Sequence, residues 1–439
     1  MKPILLLLLA FNSILICYSQ TSKEYLNSGK AKVEMKDYQG AINDYDKAIA
    51  INPKDEYTYS YRGLAKTYLQ NYKGALEDYN RAIAINPKFG GAYFNRGMVK
   101  CFQKDYQGSQ ADFNKAIEIT PKFADAYYYR GVAKAELKDY RGAIVDYDKA
   151  IEINPKYTGV FYNRGLAKAK LKDNQGAISD FSKAIEIEPT NAEYYEKRGN
   201  AKDGLQDYQG AIQDYNKAIE IKPQNGLFYF FRGNAKDAIQ DYQGAIADYS
   251  KAIEITPPFD PFYKGRGNTK TKLQDYRGAI VDYSKAIEIE PKNAEYYLLR
   301  GGAKIQLQDY RGAIADYNEA IEINPNYELA YNVRGNAKYL LEDYRGGILD
   351  YTKVIELNPK NADAFLNRGA GKGKLQDHEG AITDFDKAIE VNPKSAEAYL
   401  FRGISKIIIK QKDSGCLDLS KAGELGMEKA YEAIKLYCN

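Results

Sequence analysis

The chain has 439 residues, 44% of them hydrophobic and 13% aromatic, with 63 Lys+Arg against 59 Asp+Glu for a formal charge of +4. That apolar content excludes global disorder, and the near balance of charge argues against a phosphate backbone as partner. One histidine, four cysteines and no tryptophan leave few residues for metal or nucleophile chemistry, so neither an enzyme nor a cofactor or metal site is expected.

At the N-terminus Lys2 precedes an apolar run from Ile4 to Cys17, broken only by Asn12 and Ser13, and followed by the small residues Cys17 and Ser19. This is the layout of a secretory signal over residues 1–19, with a mature chain beginning at Gln20 and a periplasmic or extracellular destination. The run is short for a membrane span. An uncleaved N-terminal anchor is the alternative. Ile16 before Cys17 argues against lipidation. After the leader only Cys101, Cys416 and Cys438 remain, too few for a disulfide framework; Cys416 and Cys438 either pair or serve as small buried hydrophobes.

From Pro53 to Pro393, eleven prolines recur every 34 residues. With each proline at position 32, twelve units fill residues 22–429. Position 8 is glycine in every unit, from Gly29 to Gly403, and position 20 is Ala, Ser or Gly. Position 4 is aromatic throughout and position 24 in all but the last unit, where Leu419 stands. These read as packing knobs opposite small residues that let helix backbones approach. Apolar positions 4, 8 and 10, then 20, 21, 24, 27, 28 and 30, fall at helical spacing, so each unit predicts two antiparallel helices. Asp at position 16, replaced by Asn71 and Gln411 in two units, is the N-cap of the second helix, and the proline ends it.

This pattern resembles the tetratricopeptide repeat over about nine-tenths of the chain. The resemblance implies an all-α fold: a right-handed α-solenoid of twelve stacked helix-turn-helix units whose first helices line a concave groove that holds a peptide or partner protein. Stacking is also required physically, because one hairpin cannot bury its apolar face alone. Three columns depart from the family: position 7 is Arg in eleven units, position 11 is Lys in all, and position 23 is Asp in all. Arg and Lys four apart on one helix repel, so an acid must bracket them. Either Asp at 23 forms an internal ion pair with Arg at 7, or the charges form a solvated stripe.

In the eighth unit, Pro257, Pro258, Phe259, Asp260 and Pro261 predict a stiffened start with Asp260 as cap and Pro261 at the first helical position. The eleventh places Gly371 and Gly373 within its first helix, which predicts a soft point there. Residues 430–439 predict a short capping helix. The run Gly369 to Lys374 lacks the spacing and context of a phosphate loop, and His378 has no second histidine to work with.

Columns that differ between units carry partner-specific information. The resemblance places positions 2, 5, 9, 12 and 13 on the concave wall, which makes Tyr57, Leu64, Tyr68, Phe94, Met98, Phe102, Tyr128 and Val132 the apolar part of a binding groove. Asn200, Asn234, Lys264 and Asn268 supply its polar part. Lys264 and Asn268 match the start of the clamp by which some family members hold a chaperone tail, but Leu299, Leu329 and Val333 do not continue it. The expected function is an exported, non-enzymatic scaffold for protein or peptide partners, with no nucleic acid and no small-molecule substrate. The alternative is a membrane-tethered envelope-biogenesis or complex-assembly factor, with membrane contact only through an uncleaved anchor.

Overall fold

The computed structural model describes residues 21–256 and 258–438. The predicted leader, its cleavage before Gln20, and the part of the stiffened start that rests on Pro257 lie outside them. Among the described residues there are 25 helices and no strand. They fall into two compact bodies divided between Pro223 and Gln224. The first holds α1 (residues 21–34), α2 (Tyr38–Ile51), α3 (Glu56–Tyr68), α4 (Tyr72–Ile85), α5 (Gly90–Phe102), α6 (Tyr106–Ile119), α7 (Ala124–Glu136), α8 (Tyr140–Ile153), α9 (Thr158–Lys170), α10 (Asn174–Ile187), α11 (Ala192–Asp203) and α12 (Tyr208–Ile221). The second holds α13 (Gly226–Ala238), α14 (Tyr242–Ile255), α15 (Asp260–Lys272), α16 (Tyr276–Ile289), α17 (Ala294–Gln306), α18 (Tyr310–Ile323), α19 (Glu328–Leu340), α20 (Tyr344–Leu357), α21 (Ala362–Lys374), α22 (His378–Val391), α23 (Ala396–Ile408), α24 (Lys412–Glu424) and α25 (Glu428–Tyr437). In each body the odd-numbered helices from α3 to α23 each pair with the next, consecutive pairs stack as an α-solenoid, and α25 packs on α24 at the end.

The hairpin is closed by groups that repeat with the sequence. Each first helix ends on a left-handed residue, from Lys36 (φ 62°) to Lys410 (φ 70°). The next amide then reaches back to the helix, as Asp37 does to the Lys32 carbonyl at 2.8 Å. Asp37 in turn caps α2 by accepting from the Gly40 amide at 2.9 Å. A Cβ on Gly40 would lie 2.0 Å from that carboxylate, which is why glycine stands three residues after the cap. Gln411 makes no side-chain cap bond, as its type suggests.

Packing within the hairpin follows the predicted columns. The position-24 side chains, including Tyr79, Phe113, Tyr283 and Leu419, are fully buried. The Tyr283 ring lies where a Cβ on Gly267 would be, at 2.7 Å. The aromatic at position 4 packs as expected where it is buried, as Tyr59, Phe161 and Phe365 are in their clusters, and it also supports a guanidinium, as Tyr263 does for Arg266 at 5.9 Å.

That guanidinium belongs to an internal ionic triad, so the buried-pair reading holds and the solvated stripe does not. In the eighth repeat Arg266 donates from Nη2 and Nε to Asp282 at 2.6 and 3.0 Å, and Lys270 Nζ reaches the same carboxylate at 2.8 Å. The Asp282 side chain is 0% exposed, and its partners are about one-fifth exposed. One acid thus neutralises the mutual repulsion of two cations on one helix face. Arg266 Nη1 also donates to Ser250 of the preceding repeat at 2.9 Å, so the triad joins repeats as well as helices. Equivalent bonds run from Arg62 to Asp46, Arg130 to Asn114 and Arg334 to Asn318. In the first repeat Ser28 replaces the arginine and donates to Asp44 beside Lys32.

Two local expectations need correction, and one open alternative is decided. Helix α15 begins at Asp260, so Asp260 is its first residue rather than its cap; Phe259 holds the cap position without a side-chain bond, and Pro261 is second. The Asp260 carboxylate instead accepts from the Tyr296 hydroxyl in the next repeat. Gly371 is held tightly: a Cβ there would meet Tyr339 Oη at 2.6 Å and Ile348 Cγ1 at 2.9 Å. Cys416 and Cys438 form a disulfide with Cα atoms 5.9 Å apart, whereas Cys101 is free. The disulfide ties down α25, which starts two residues before the predicted cap and buries Ala430 against Leu400, Leu419 and Ala422.

Replacing Asp282 by alanine leaves Arg266 and Lys270 facing each other without an acid and should cost about 3–5 kcal/mol. Replacing the half-exposed Asp46 should cost less than about 1 kcal/mol. Equal denaturation midpoints for the two variants would contradict the buried triad. Within α21, Gly371→Ala should destabilise by about 1–3 kcal/mol through overpacking. Gly373→Ala, whose Cβ meets only Ala381 at 4.0 Å, should stabilise by up to about 1 kcal/mol. Urea denaturation of the two variants checks the opposite signs.

Candidate functional site

The triads, caps and position-24 rings occupy the faces turned toward neighbouring helices, leaving positions 2, 5, 6, 9, 12 and 13 of the first helices as the variable surface. In the first body these positions form a cavity of about 550 Å³. Leu64 and Tyr68 come from α3, Phe94, Met98 and Phe102 from α5, so five of the predicted residues converge on it. Tyr68 and Phe102 are 53% and 54% exposed at its edge. Each is held by a ring from the preceding repeat: Tyr68 stacks on Tyr38 at 4.7 Å and Phe102 on Tyr72 at 6.0 Å. Phe94 is wedged between Phe123 at 4.8 Å and Tyr129 at 5.8 Å, which fixes the inner wall.

The other predicted residues are distributed differently. Tyr57 is half exposed against Phe89 at 4.9 Å and lies outside the cavity lining. Tyr128 and Val132 pack on the buried cluster around Tyr147. The Tyr128 hydroxyl accepts from Asn163 Nδ2 at 2.9 Å. Asn200 uses its Oδ1 to accept from the core hydroxyl of Tyr215 at 2.8 Å, while its Nδ2 donates to Glu196. In the second body Asn234 and Asn268 hold the hydroxyls of Tyr249 and Tyr283 in the same way, both at 2.8 Å, and line a cavity of about 460 Å³ with Asp237 and Lys272. Lys264 forms an ion pair with Glu295 of the next repeat at 2.8 Å. The asparagines therefore face two ways, with one end of each amide tied to the frame.

The sequence reading missed the rest of the first cavity's lining: Thr67, Gln70 and Asn95, the rings of Tyr72, Tyr79 and Tyr129, and Asp125 at the start of α7. Asp125 sits at a variable position and Tyr129 at another, so the signal was present but weak. Another cavity of about 410 Å³ in the second body is lined by Lys374, His378, Phe401, Ile404 and Ile408. Among the described residues no group of three His, Cys, Asp or Glu side chains is placed to hold a metal ion. No helix there is long and apolar enough to cross a membrane.

Family models described as tetratricopeptide repeat match residues 56–89, 90–123, 124–157, 158–191, 192–225, 228–259 and 362–395. A further model, described as TPR repeat, matches 29–67, 267–304 and 301–342. The chain belongs to the tetratricopeptide repeat family. No curated protein sequence matches it. Among solved structures it is similar to YrrB, described as a TPR protein with an unusual peptide-binding site, at 23% identity over 41% of this chain and 92% of that one, TM-score 0.38. It is similar to MamA of Desulfovibrio magneticus at 20% identity, over 38% of this chain and 94% of that one, TM-score 0.37. The C-terminal part of a TPR repeat-containing protein from Cytophaga hutchinsonii shares 19% identity, over 53% of this chain and 96% of that one, TM-score 0.48. Membership of the family supports a protein-interaction scaffold.

Burial pushes the phenols of Tyr128 and Tyr317 in this repeat protein up to about 12, above the ordinary 10.0. A raised folded value means that the unfolded chain loses these protons first. Stability is therefore complete below pH 10 and falls as pH rises from about 10 toward 12. Circular dichroism and phenolate absorbance followed together should show tyrosines that ionise only as the helices melt. A single class of tyrosines titrating near 10 with the helices intact would be the contrary result.

Proposed function

We propose that the protein is an exported, non-catalytic scaffold that holds a segment of a partner protein against the first-helix face of repeats two to four. The observation that carries this reading is the pair Tyr68 and Phe102. Both are large, half exposed, and pinned by rings from the preceding repeat at the edge of one cavity. Rigid aromatics of this kind anchor partners at little cost in conformational entropy, and the surrounding apolar wall excludes water from the contact. Position 13 plays no part in the ionic triad or the cap, so the frame does not require an aromatic there.

Export is supported by the leader pattern of residues 1–19 together with the Cys416–Cys438 disulfide, a bond that persists in oxidising compartments. The apolar run Ile4–Cys17 also favours a second reading, in which an uncleaved segment tethers the same scaffold to a membrane as an assembly or envelope-biogenesis factor. Mass spectrometry of the protein from its own cells separates the two: Gln20 at the N-terminus is the expected finding, and an intact leader on membrane-bound protein favours the tether.

Random-peptide display on the purified protein tests the site. Enriched peptides should lose about ten-fold or more in affinity on Tyr68→Ala or Phe102→Ala, the range of a hot-spot anchor. Peptides that bind these variants as well as the native protein, or no enrichment at all, would count against the reading.

A further inference from the structure

The charge and ring content of the first cavity point to a particular class of partner. We infer that this cavity selects a cationic side chain, a lysine or arginine carried by the partner segment, seated among aromatic faces and paired with Asp125. This deepens the proposed function and rests on it.

The inference starts from what lines the cavity. Its residues are aromatic, apolar or neutral and polar, with one exception, the carboxylate of Asp125; among the described residues no lysine or arginine lines it. That is unusual for this chain, in which lysine and arginine make up 63 of 439 residues and stand at two fixed positions of nearly every first helix. The ionic triads explain how the cavity stays free of them. Lys66 and Lys100, on the two helices that form its wall, are drawn to Asp78 and Asp112 at 2.8 and 2.7 Å. Arg62 and Arg96 are bound by the same two carboxylates. The frame thus consumes every cation contributed by repeats two and three at positions 7 and 11.

What remains is a concentration of π-faces. Tyr68, Tyr72, Phe94, Phe102 and Tyr129 all border the cavity, and an aromatic face attracts a cation within about 6 Å of its centre. Asp125 lies in the first turn of α7, where a carboxylate also suits the helix dipole. A helix-end acid alone would be a structural feature. Here it shares the cavity with five rings. The partner's methylene stem would lie along Leu64 and Met98, and its charged end would meet the rings and the acid, the way long cationic side chains divide between apolar and polar surroundings. The cavity in the second body near Phe401 provides the contrast: its lining carries Lys374 and no carboxylate, so it offers a cation no such partner.

The test uses random-peptide display on the purified full chain, followed by affinity measurements with resynthesised peptides. Enriched peptides whose binding depends on Phe102 should share a lysine or arginine. Replacing that lysine by norleucine, which keeps the stem and removes the ammonium, should weaken binding roughly five- to ten-fold. On the Asp125→Asn protein, whose fold is checked by circular dichroism, the same replacement should matter by about two-fold less, because an exposed acid contributes a modest, salt-screened share. Phe102-dependent peptides without a cation, or with a cation that norleucine replaces at no loss, overturn the cation preference and leave the scaffold site standing. Peptides that bind independently of both Phe102 and Tyr68 overturn the site itself, and the preference with it.

Discussion

A buried aspartate at position 23 of each repeat is the constraint on which the rest depends. Removing a carboxylate from water is costly unless it is both paired and hydrogen-bonded. Asp282 meets that condition through Arg266 and Lys270, and in doing so fixes the second helix against the first. The same arginine reaches Ser250 in the preceding repeat, so one acid governs the geometry inside a hairpin and its attachment to the hairpin before it. The exposed Lys–Glu pairs along the second helices, such as Lys285 with Glu288, carry no comparable weight because water screens them. Buried polar triads impose direction as well as attraction. A solenoid held by alanines and glycines alone would have little to prevent one hairpin from sliding on the next.

The frame also decides where a site is allowed. Position 24 fills the space left by the position-8 glycine, position 16 closes the turn, and positions 7, 11 and 23 balance one another's charge. The remaining positions of the first helices are released from structural duty, and they are the ones that differ from repeat to repeat. Position 9 lies on the boundary. Asn200, Asn234 and Asn268 each spend a carbonyl oxygen on a core tyrosine hydroxyl. Such a side chain is rigid because the core holds it, which suits it to present its amide with little loss of entropy.

Much of this was legible in the residues themselves. A strict period of 34, small and aromatic columns in fixed relation, and opposite charges 16 apart pointed to stacked hairpins and to the pair between Arg at 7 and Asp at 23. The left-handed turn was not legible, because Lys36, Gln70 and Glu342 adopt there a conformation usually signalled by glycine or asparagine. Asp260 read as a cap from its type alone, whereas the course of the chain at Phe259 brings it inside the helix. Gly371 read as weakness because propensity counts only the helix containing it, and Tyr339 from the repeat before was invisible to that count. Tyr128 and Val132 failed to join the cavity for a related reason: a single helix pattern cannot tell which exposed face a neighbouring ring such as Tyr147 will cover. Leu64, Tyr68, Phe94, Met98 and Phe102 were found because they share one stretch of one face over two successive repeats.

The most direct measurement of the central claim is a pair of double-mutant cycles on Arg334, which donates to Asp350 at 2.5 and 3.0 Å and to Asn318 of the preceding repeat at 2.6 Å. Coupling between Arg334 and Asp350 should reach about 2–3 kcal/mol, and coupling between Arg334 and Asn318 about 0.5–1.5 kcal/mol. Additive effects at Arg334 and Asp350, with no coupling beyond error, would mean that the buried acid does not hold the repeats together.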